Sequence, residues 1–169
     1  MKAKKDLRLE NRKEKAQGMA EFALTLPLLL ALFFGIIEFG RLLFVFGATT
    51  TAAREAARYG SAAGDASPSL PYYRDCTGIE DAALRIGGIA GLQRANIEIY
   101  IDDDDDGLAS LSSIGTLPTC KTNPTVDLGD RVVVRVTVNF QSMVPLVNIG
   151  AFDIASVSIR TILQKVELN

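Results

Sequence analysis

Hydrophobic residues dominate one long stretch near the N-terminus, residues 22–46. A helix of that length is about long enough to cross a hydrocarbon core roughly 30 Å thick. A cleaved secretory signal has a shorter apolar segment, usually about 7 to 15 residues, followed by a small-residue cleavage site. The pattern therefore predicts a membrane-spanning helix. The hydropathy alone does not distinguish an ordinary uncleaved single-pass anchor from a helix with a further role.

The helical pattern continues beyond the apolar stretch. Residues 48–63 are rich in alanine, a strong helix former, and Arg54, Glu55 and Arg58 are spaced to form pairs on a helix surface. Glycine and proline then follow closely, as is typical of a helix end and a linker. We expect residues 17–63 to form one transmembrane and stalk helix.

The remaining chain has the alternating pattern of a small mixed domain. Residues 79–92 have helical spacing, weakened by two glycines, whereas residues 97–101 and 131–140 alternate between apolar and polar positions as half-buried strands do. Residues 154–166 are a plausible last strand. These elements predict an α+β fold whose small head carries an antiparallel sheet.

The distribution of charge predicts the orientation of the chain in the membrane. Of the 18 Lys and Arg and 20 Asp and Glu residues, seven basic and three acidic ones lie in residues 1–16, which leaves the remainder at −6. Basic flanks stay in the cytoplasm, so we expect an extracytoplasmic C-terminal head in a single-pass protein of the cell membrane. The predicted segments are a basic cytoplasmic leader at 1–16, which is a candidate for cleavage, the transmembrane and stalk helix at 17–63, a linker at 64–78 and the extracytoplasmic head at 79–169.

Charged residues and a proline interrupt the apolar stretch. Glu38 and Arg41 are three residues apart near its far side, where they could either snorkel to the outer interface or pair between protomers. Glu21 stands immediately before the stretch and could offer its carboxylate to a neighbouring amine. Pro27 removes one backbone donor and could kink the helix, which neighbours in a bundle tolerate.

Together these residues resemble the TadE-like family of minor pseudopilins. The resemblance covers Gln17–Gly60 and rests on EFAL at 21–24, LP at 26–27, EFGR at 38–41 and AREAARY at 53–59. It implies a pilin-like architecture and a component of the tight-adherence secretion system, which builds thin Flp pili related to type IV pili. Its partners would be the membrane, other pilin-like subunits, a prepilin peptidase and the pilus assembly machinery.

The resemblance also implies roles for particular residues. Family members are cut after a small residue, with glutamate fifth in the mature chain, which places the cut between Ala16 and Gln17. Family members usually have glycine at the position of Ala16. Cleavage would remove the basic leader and create an amine that Glu21 of a neighbouring subunit could bind, as a register device for packing helices. We therefore assign assembly roles to Glu21, Phe22 and Pro27.

The two cysteines, Cys76 and Cys120, both lie in the part expected to face an oxidising exterior. Such compartments favour disulfides, and small domains gain stability from them, so we predict a bond between the two, with two free thiols as the alternative. The chain has no histidine. A Cys/His nucleophilic pair and a Cys/His zinc site are therefore excluded.

Five consecutive aspartates at 102–106 precede a glycine. Asp102, Asp104 and Asp106 match the opening of a calcium loop, so calcium is the one cofactor that the sequence offers. The bidentate glutamate expected at loop position twelve would fall at Ser113, and no helix-loop-helix pattern surrounds the run. A hydrated acidic turn between strands is the alternative interpretation.

The leading hypothesis is a non-enzymatic minor pseudopilin that acts in pilus assembly. The alternative is a single-pass anchored adhesion or ligand-binding module with an acidic head that could bind calcium. A membrane-tethered enzyme has little support, because a Ser/His/Asp triad needs histidine and no G-x-x-x-x-G-K-[ST] loop occurs. Nucleic-acid binding is disfavoured because the head is acidic and the basic residues concentrate in the leader.

Overall fold

The fold was analysed in a computed structural model, which describes residues 2–102, 119–122, 126–127, 129–143 and 150–163, with side chains from residue 17 onward. It contains two α-helices and five strands within these residues, together with short helical turns: α1 (Lys2–Gly60), β1 (Asp65–Ser67), β2 (Leu70–Pro71), α2 (Cys76–Gly87), β3 (Ile97–Asp102), β4 (Arg131–Phe140) and β5 (Phe152–Thr161). The predicted α+β class, with a long N-terminal helix and antiparallel sheets, is confirmed.

The chain divides into two compact units. One comprises Met1–Arg41 and Ser142–Ile149, and the other comprises Leu42–Gln141 and Gly150–Asn169. Helix α1 contributes residues to both units. The boundary between the units thus falls inside the predicted 17–63 segment.

Helix α1 begins at Lys2 and includes the segment that we predicted as a separate leader. That segment is rich in lysine, arginine, glutamate, leucine and alanine, which all favour helices, and it lacks glycine and proline. Pro27 lies inside the helix. A helix can continue through a proline at the loss of one backbone hydrogen bond, and this one does so.

Within the second unit, β3, β4 and β5 form an antiparallel sheet with β4 in the centre. Ile99 pairs with Val134, and Val136 pairs with Ser156. The valines at alternate positions of β4 are buried on one face, as the alternation predicted: Val132, Val134, Val136 and Val138. Strand β5 begins at Phe152 and ends at Thr161, so it starts and ends earlier than the predicted 154–166.

A small-residue face of α1 belongs to the same hydrophobic core as these valines. Its members are completely buried and recur at helical spacing: Thr49, Ala52, Ala53, Ala56 and Ala57. Alanine adds only one methyl group, so a helix bearing it can approach a sheet closely and still fill the space between them. The alanine-rich stretch is therefore a packing surface as well as a good helix former.

The segment that we predicted as a linker, residues 64–78, has secondary structure of its own. Strands β1 and β2 form a short antiparallel hairpin, and a helical turn at Tyr72–Arg74 precedes α2. Asp75 caps α2, because its carboxylate Oδ1 accepts a hydrogen bond from the backbone N–H of Gly78 at 2.9 Å. Proline and glycine thus mark tight turns here.

The predicted disulfide is confirmed between Cys76 and Cys120, whose Cα atoms are 5.9 Å apart. It connects the first residue of α2 with the helical turn Cys120–Thr122. The two cysteines are 44 positions apart in the sequence. Closing a loop of that length restricts the unfolded chain and stabilises the fold by about 4 kcal/mol in the chain-entropy estimate.

Gly87→Ala is expected to destabilise the fold, because the added Cβ would lie 2.5 Å from Leu92 Cδ2 and 3.2 Å from Ala52 Cβ. Overpacking of this kind costs about 1–3 kcal/mol. Gly88→Ala is the matched control, since nothing lies within 4 Å of its added Cβ. Thermal unfolding of the full chain in detergent micelles measures both Tm values, and equal values for the two variants would contradict the packing argument.

Candidate functional site

The candidate site is the surface of α1 within residues 17–60, starting with its apolar part. Large side chains along it are mostly exposed, including Leu24 at 79% and Leu28 at 77%. The helix is long and apolar enough to cross a membrane, and its most apolar part is not buried among the described residues. Such a surface is costly in water, so it suggests membrane anchoring.

Glu21 lies exposed at the start of this surface. Its carboxylate Oε1 accepts a hydrogen bond from Gln17 Nε2 at 3.1 Å, one helical turn earlier, while Thr25 Oγ1 donates to the backbone carbonyl of Glu21 at 3.0 Å. Phe22 and Pro27 are exposed as well. The predicted assembly residues thus share an open stretch of helix, and Glu21 and Gln17 lie on one face of it.

Glu38 differs from its neighbours because only 9% of it is exposed. Its carboxylate Oε1 accepts from Arg41 Nη2 at 3.1 Å and from the backbone N–H of Met143 at 3.3 Å. Glu38 and Arg41 therefore form an ion pair within one chain, and a backbone donor from the segment after β4 also binds Glu38. A carboxylate with two donors is much less costly to bury than an isolated one.

Tyr59, near the end of α1, connects this helix to the start of α2. Its hydroxyl donates to Asp75 Oδ2 at 2.7 Å, while the other carboxylate oxygen of Asp75 caps α2. Burial, and then the hydrogen bond to Asp75, raises the pKa of Tyr59 to about 12. The phenol therefore stays protonated and donates at all ordinary pH values.

Glu55 and Arg58 form the helix-surface pair that the sequence predicted, with Arg58 Nε 3.0 Å from Glu55 Oε2. This hydrogen bond lowers the pKa of the Glu55 carboxyl below its usual value. Arg85 of α2 approaches the same carboxylate, with its Nη2 3.8 Å from Glu55 Oε1. The surface pair is thus part of a larger charged cluster.

The predicted calcium ligands fall mostly outside the described residues. Asp104 and Asp106 lie there, so their role stays a prediction. Asp102 is buried and accepts from Arg131 Nε at 3.0 Å, its directly paired residue on β4. Within the described part of the chain, no group of three or more acidic or cysteine side chains is arranged to hold a metal ion.

Several of these contacts could not be predicted from the sequence. The donors to Glu38 and Asp102 and the acceptor for Tyr59 come from elements distant along the chain: Met143, Arg131 and Asp75. The only available signals were an aspartate before a helix and charges of opposite sign on two alternating strands. Neither signal specifies a partner without the strand register or the helix packing.

The exposed span, the glutamate at its start and the packed alanine face can be compared with known proteins. Residues 16–58 match the model of the TadE family, described as TadE-like protein. The match agrees with the resemblance noted from the sequence and covers only this N-terminal part of the chain. No curated protein matches the chain, and no solved structure does.

Glu38→Ala is expected to speed amide hydrogen exchange at Met143 about thirtyfold, because loss of the acceptor leaves that N–H without its carboxylate partner. The factor corresponds to about 2 kcal/mol, typical for a hydrogen bond to a charged group. Glu38→Gln keeps an oxygen acceptor and should have a smaller effect. Exchange is measured on the full chain in micelles with Glu21→Ala as the control, and unchanged exchange in Glu38→Ala would disprove the contact.

Proposed function

Residues 16–58 form a TadE-like segment, and from this premise we propose that the protein is a minor pseudopilin in the assembly of a tight-adherence pilus. The family match points to a Tad pilus-associated protein, and it is the observation that carries the proposal. The pseudopilin role itself is our inference.

In the proposed function, a prepilin peptidase hydrolyses the peptide bond between Ala16 and Gln17. The reaction removes the basic leader and leaves Gln17 with a free, positively charged amine. Gln17 and Glu21 are one helical turn apart in the uncut chain. The mature chain would therefore carry opposite charges on one helix face just before its apolar surface.

The carboxylate of Glu21 would bind the new amine of a neighbouring subunit when helices pack in the membrane. An ion pair in a poorly hydrated environment contributes little net free energy, because desolvation offsets much of the attraction. A misaligned neighbour would leave both charges buried without partners, at a cost of about 3–5 kcal/mol. The pair would thus determine the register between helices more than the strength of their association.

The proposed role is structural and non-enzymatic. The exposed leucines and phenylalanines of α1 would contact lipid before assembly and other pilin-like subunits after it. The domain containing the sheet would lie on the extracytoplasmic side, since the basic leader favours a cytoplasmic N-terminus. The assembly machinery of the pilus would then extract the subunit from the membrane.

The alternative, a single-pass anchored adhesion or ligand-binding module, would need only the hydrophobicity of α1. It would need neither a cleavable leader nor a carboxylate at position 21. Processing and the identity of residue 21 therefore separate the two functions.

The intact mass of the chain extracted from membranes should correspond to an N-terminus at Gln17. Ala16→Glu should block the cut, because the residue before it must be small, whereas Ala16→Gly should be processed like the natural chain. A mature chain that begins at Met1 or Met19 would contradict the proposed bond.

Glu21→Ala should insert into the membrane at normal levels but be incorporated into pili at a greatly reduced level, since the register pair is lost. Glu14→Ala is the matched control, because it removes a carboxylate from the discarded leader. Subunit content of sheared pili and of membranes, measured by immunoblotting, tests both variants. Normal incorporation of Glu21→Ala would rule out this role for the carboxylate.

A further inference from the structure

A groove of about 460 Å³ opens between the last turns of α1, helix α2 and the end of β5. Three arginines, one from each of these elements, line it together with a glutamate and two tyrosines: Arg58, Arg85, Arg160, Glu55, Tyr59 and Tyr72. All of them belong to the second unit. The groove is thus a feature of one compact part of the fold.

The charges in this basic groove do not cancel. Glu55 is hydrogen-bonded to Arg58 through both carboxylate oxygens, at 2.5 and 3.0 Å. Arg85 reaches the same carboxylate only at 3.8 Å, beyond hydrogen-bond distance. The side chain of Arg160 is exposed and forms no hydrogen bond or ion pair with any residue that the structure describes, although its charge helps to lower the pKa of Glu55. With respect to the described residues, two guanidinium groups therefore keep donors available for another anion.

The tyrosine rings give the groove a partly apolar wall. Tyr59 and Tyr72 are in edge-to-face contact, with ring centroids 5.0 Å apart, and the Tyr59 hydroxyl is occupied by Asp75. A bound segment would therefore meet ring surfaces as well as guanidinium groups. Arginine presents its donors in a planar fork that matches a carboxylate. The combination suits the side chains of a peptide better than a small inorganic anion.

The groove contrasts with the charge of the rest of the chain. Outside residues 1–16 acidic residues outnumber basic ones by six, and five aspartates stand together at 102–106. A second copy of this chain therefore offers an acidic segment of opposite charge. Charge complementarity of this kind favours association and selects the partner.

We propose that the basic groove of one subunit binds the carboxylates of residues 103–106 of a second copy. The groove and the acidic run are different parts of the chain, so the contact is heterologous and each subunit can give and receive one. Heterologous contacts that do not close into a ring extend into open helical assemblies. The biological role of this contact rests on the proposed pilus function, but the binding itself can be measured without a pilus.

The first test uses a fluorescent peptide with the sequence of residues 101–108, IDDDDDGL, and its control with asparagine at every aspartate. The receptor is the full chain in neutral detergent micelles, with Asn at residues 103–106 so that its own run cannot compete. Fluorescence anisotropy should detect binding of the aspartate peptide alone, and binding should weaken as salt rises. No binding, or equal binding of both peptides, would overturn the proposal.

The receptor arginines are tested with the double variant Arg85→Gln and Arg160→Gln. We expect about tenfold weaker binding of the peptide, since each exposed charge pair contributes up to about fivefold. Arg54→Gln is the matched control, because Arg54 is exposed on α1 but does not line the groove. Equal affinity for the double variant and the control would overturn the assignment.

The second test distinguishes sources of the anion. Inorganic phosphate that displaces the peptide at a similar concentration would show a general oxyanion site and overturn the peptide specificity. Immobilised receptor chain should retain the natural chain but not a chain with asparagines at 103–106, and retention of both would exclude the acidic run of the second copy as the occupant. Leader cleavage and pilus incorporation are measured in separate experiments. A failure of the groove to bind the acidic peptide therefore would not contradict the proposed pseudopilin function.

Discussion

The close packing of the alanine face of α1 against the valine face of β4 is the interaction on which the second unit depends. Ala52, Ala53, Ala56 and Ala57 have no exposed surface, and they share one core with the valines of β4. Because these side chains are small, the helix backbone can lie near the sheet, and α2 fits beside it where Gly87 approaches Ala52. Larger residues would separate these layers.

The same helix meets a different requirement earlier in the chain. Within residues 22–41, leucine, isoleucine and phenylalanine cover the helix on several sides and remain exposed. A surface that is apolar around most of its circumference suits lipid or neighbouring helices rather than water. The change from large to small apolar residues along α1 therefore marks the change from an exposed span to a packed helix.

Polar contacts and the disulfide then connect elements of the core to one another. Tyr59 and Asp75 join the end of α1 to the cap of α2, and the disulfide joins the start of α2 to residue 120. Asp102 and Arg131 form an ion pair between two strands. Each contact is buried or partly buried, where an unpaired polar group would cost about 1–3 kcal/mol or more. They specify one arrangement of the elements.

The sequence by itself determined the elements whose signals are local. The length of the apolar stretch predicted the span, and period-two alternation predicted β3 and β4 with nearly their observed bounds. The glutamate, proline and arginine spacings indicated the TadE-like segment. The tertiary structure alone decided the partners of Glu38 and Asp102 and the meeting of Arg85 and Arg160 in one groove. Those contacts join residues far apart along the chain, and only strand register and helix packing bring such residues within a few ångströms.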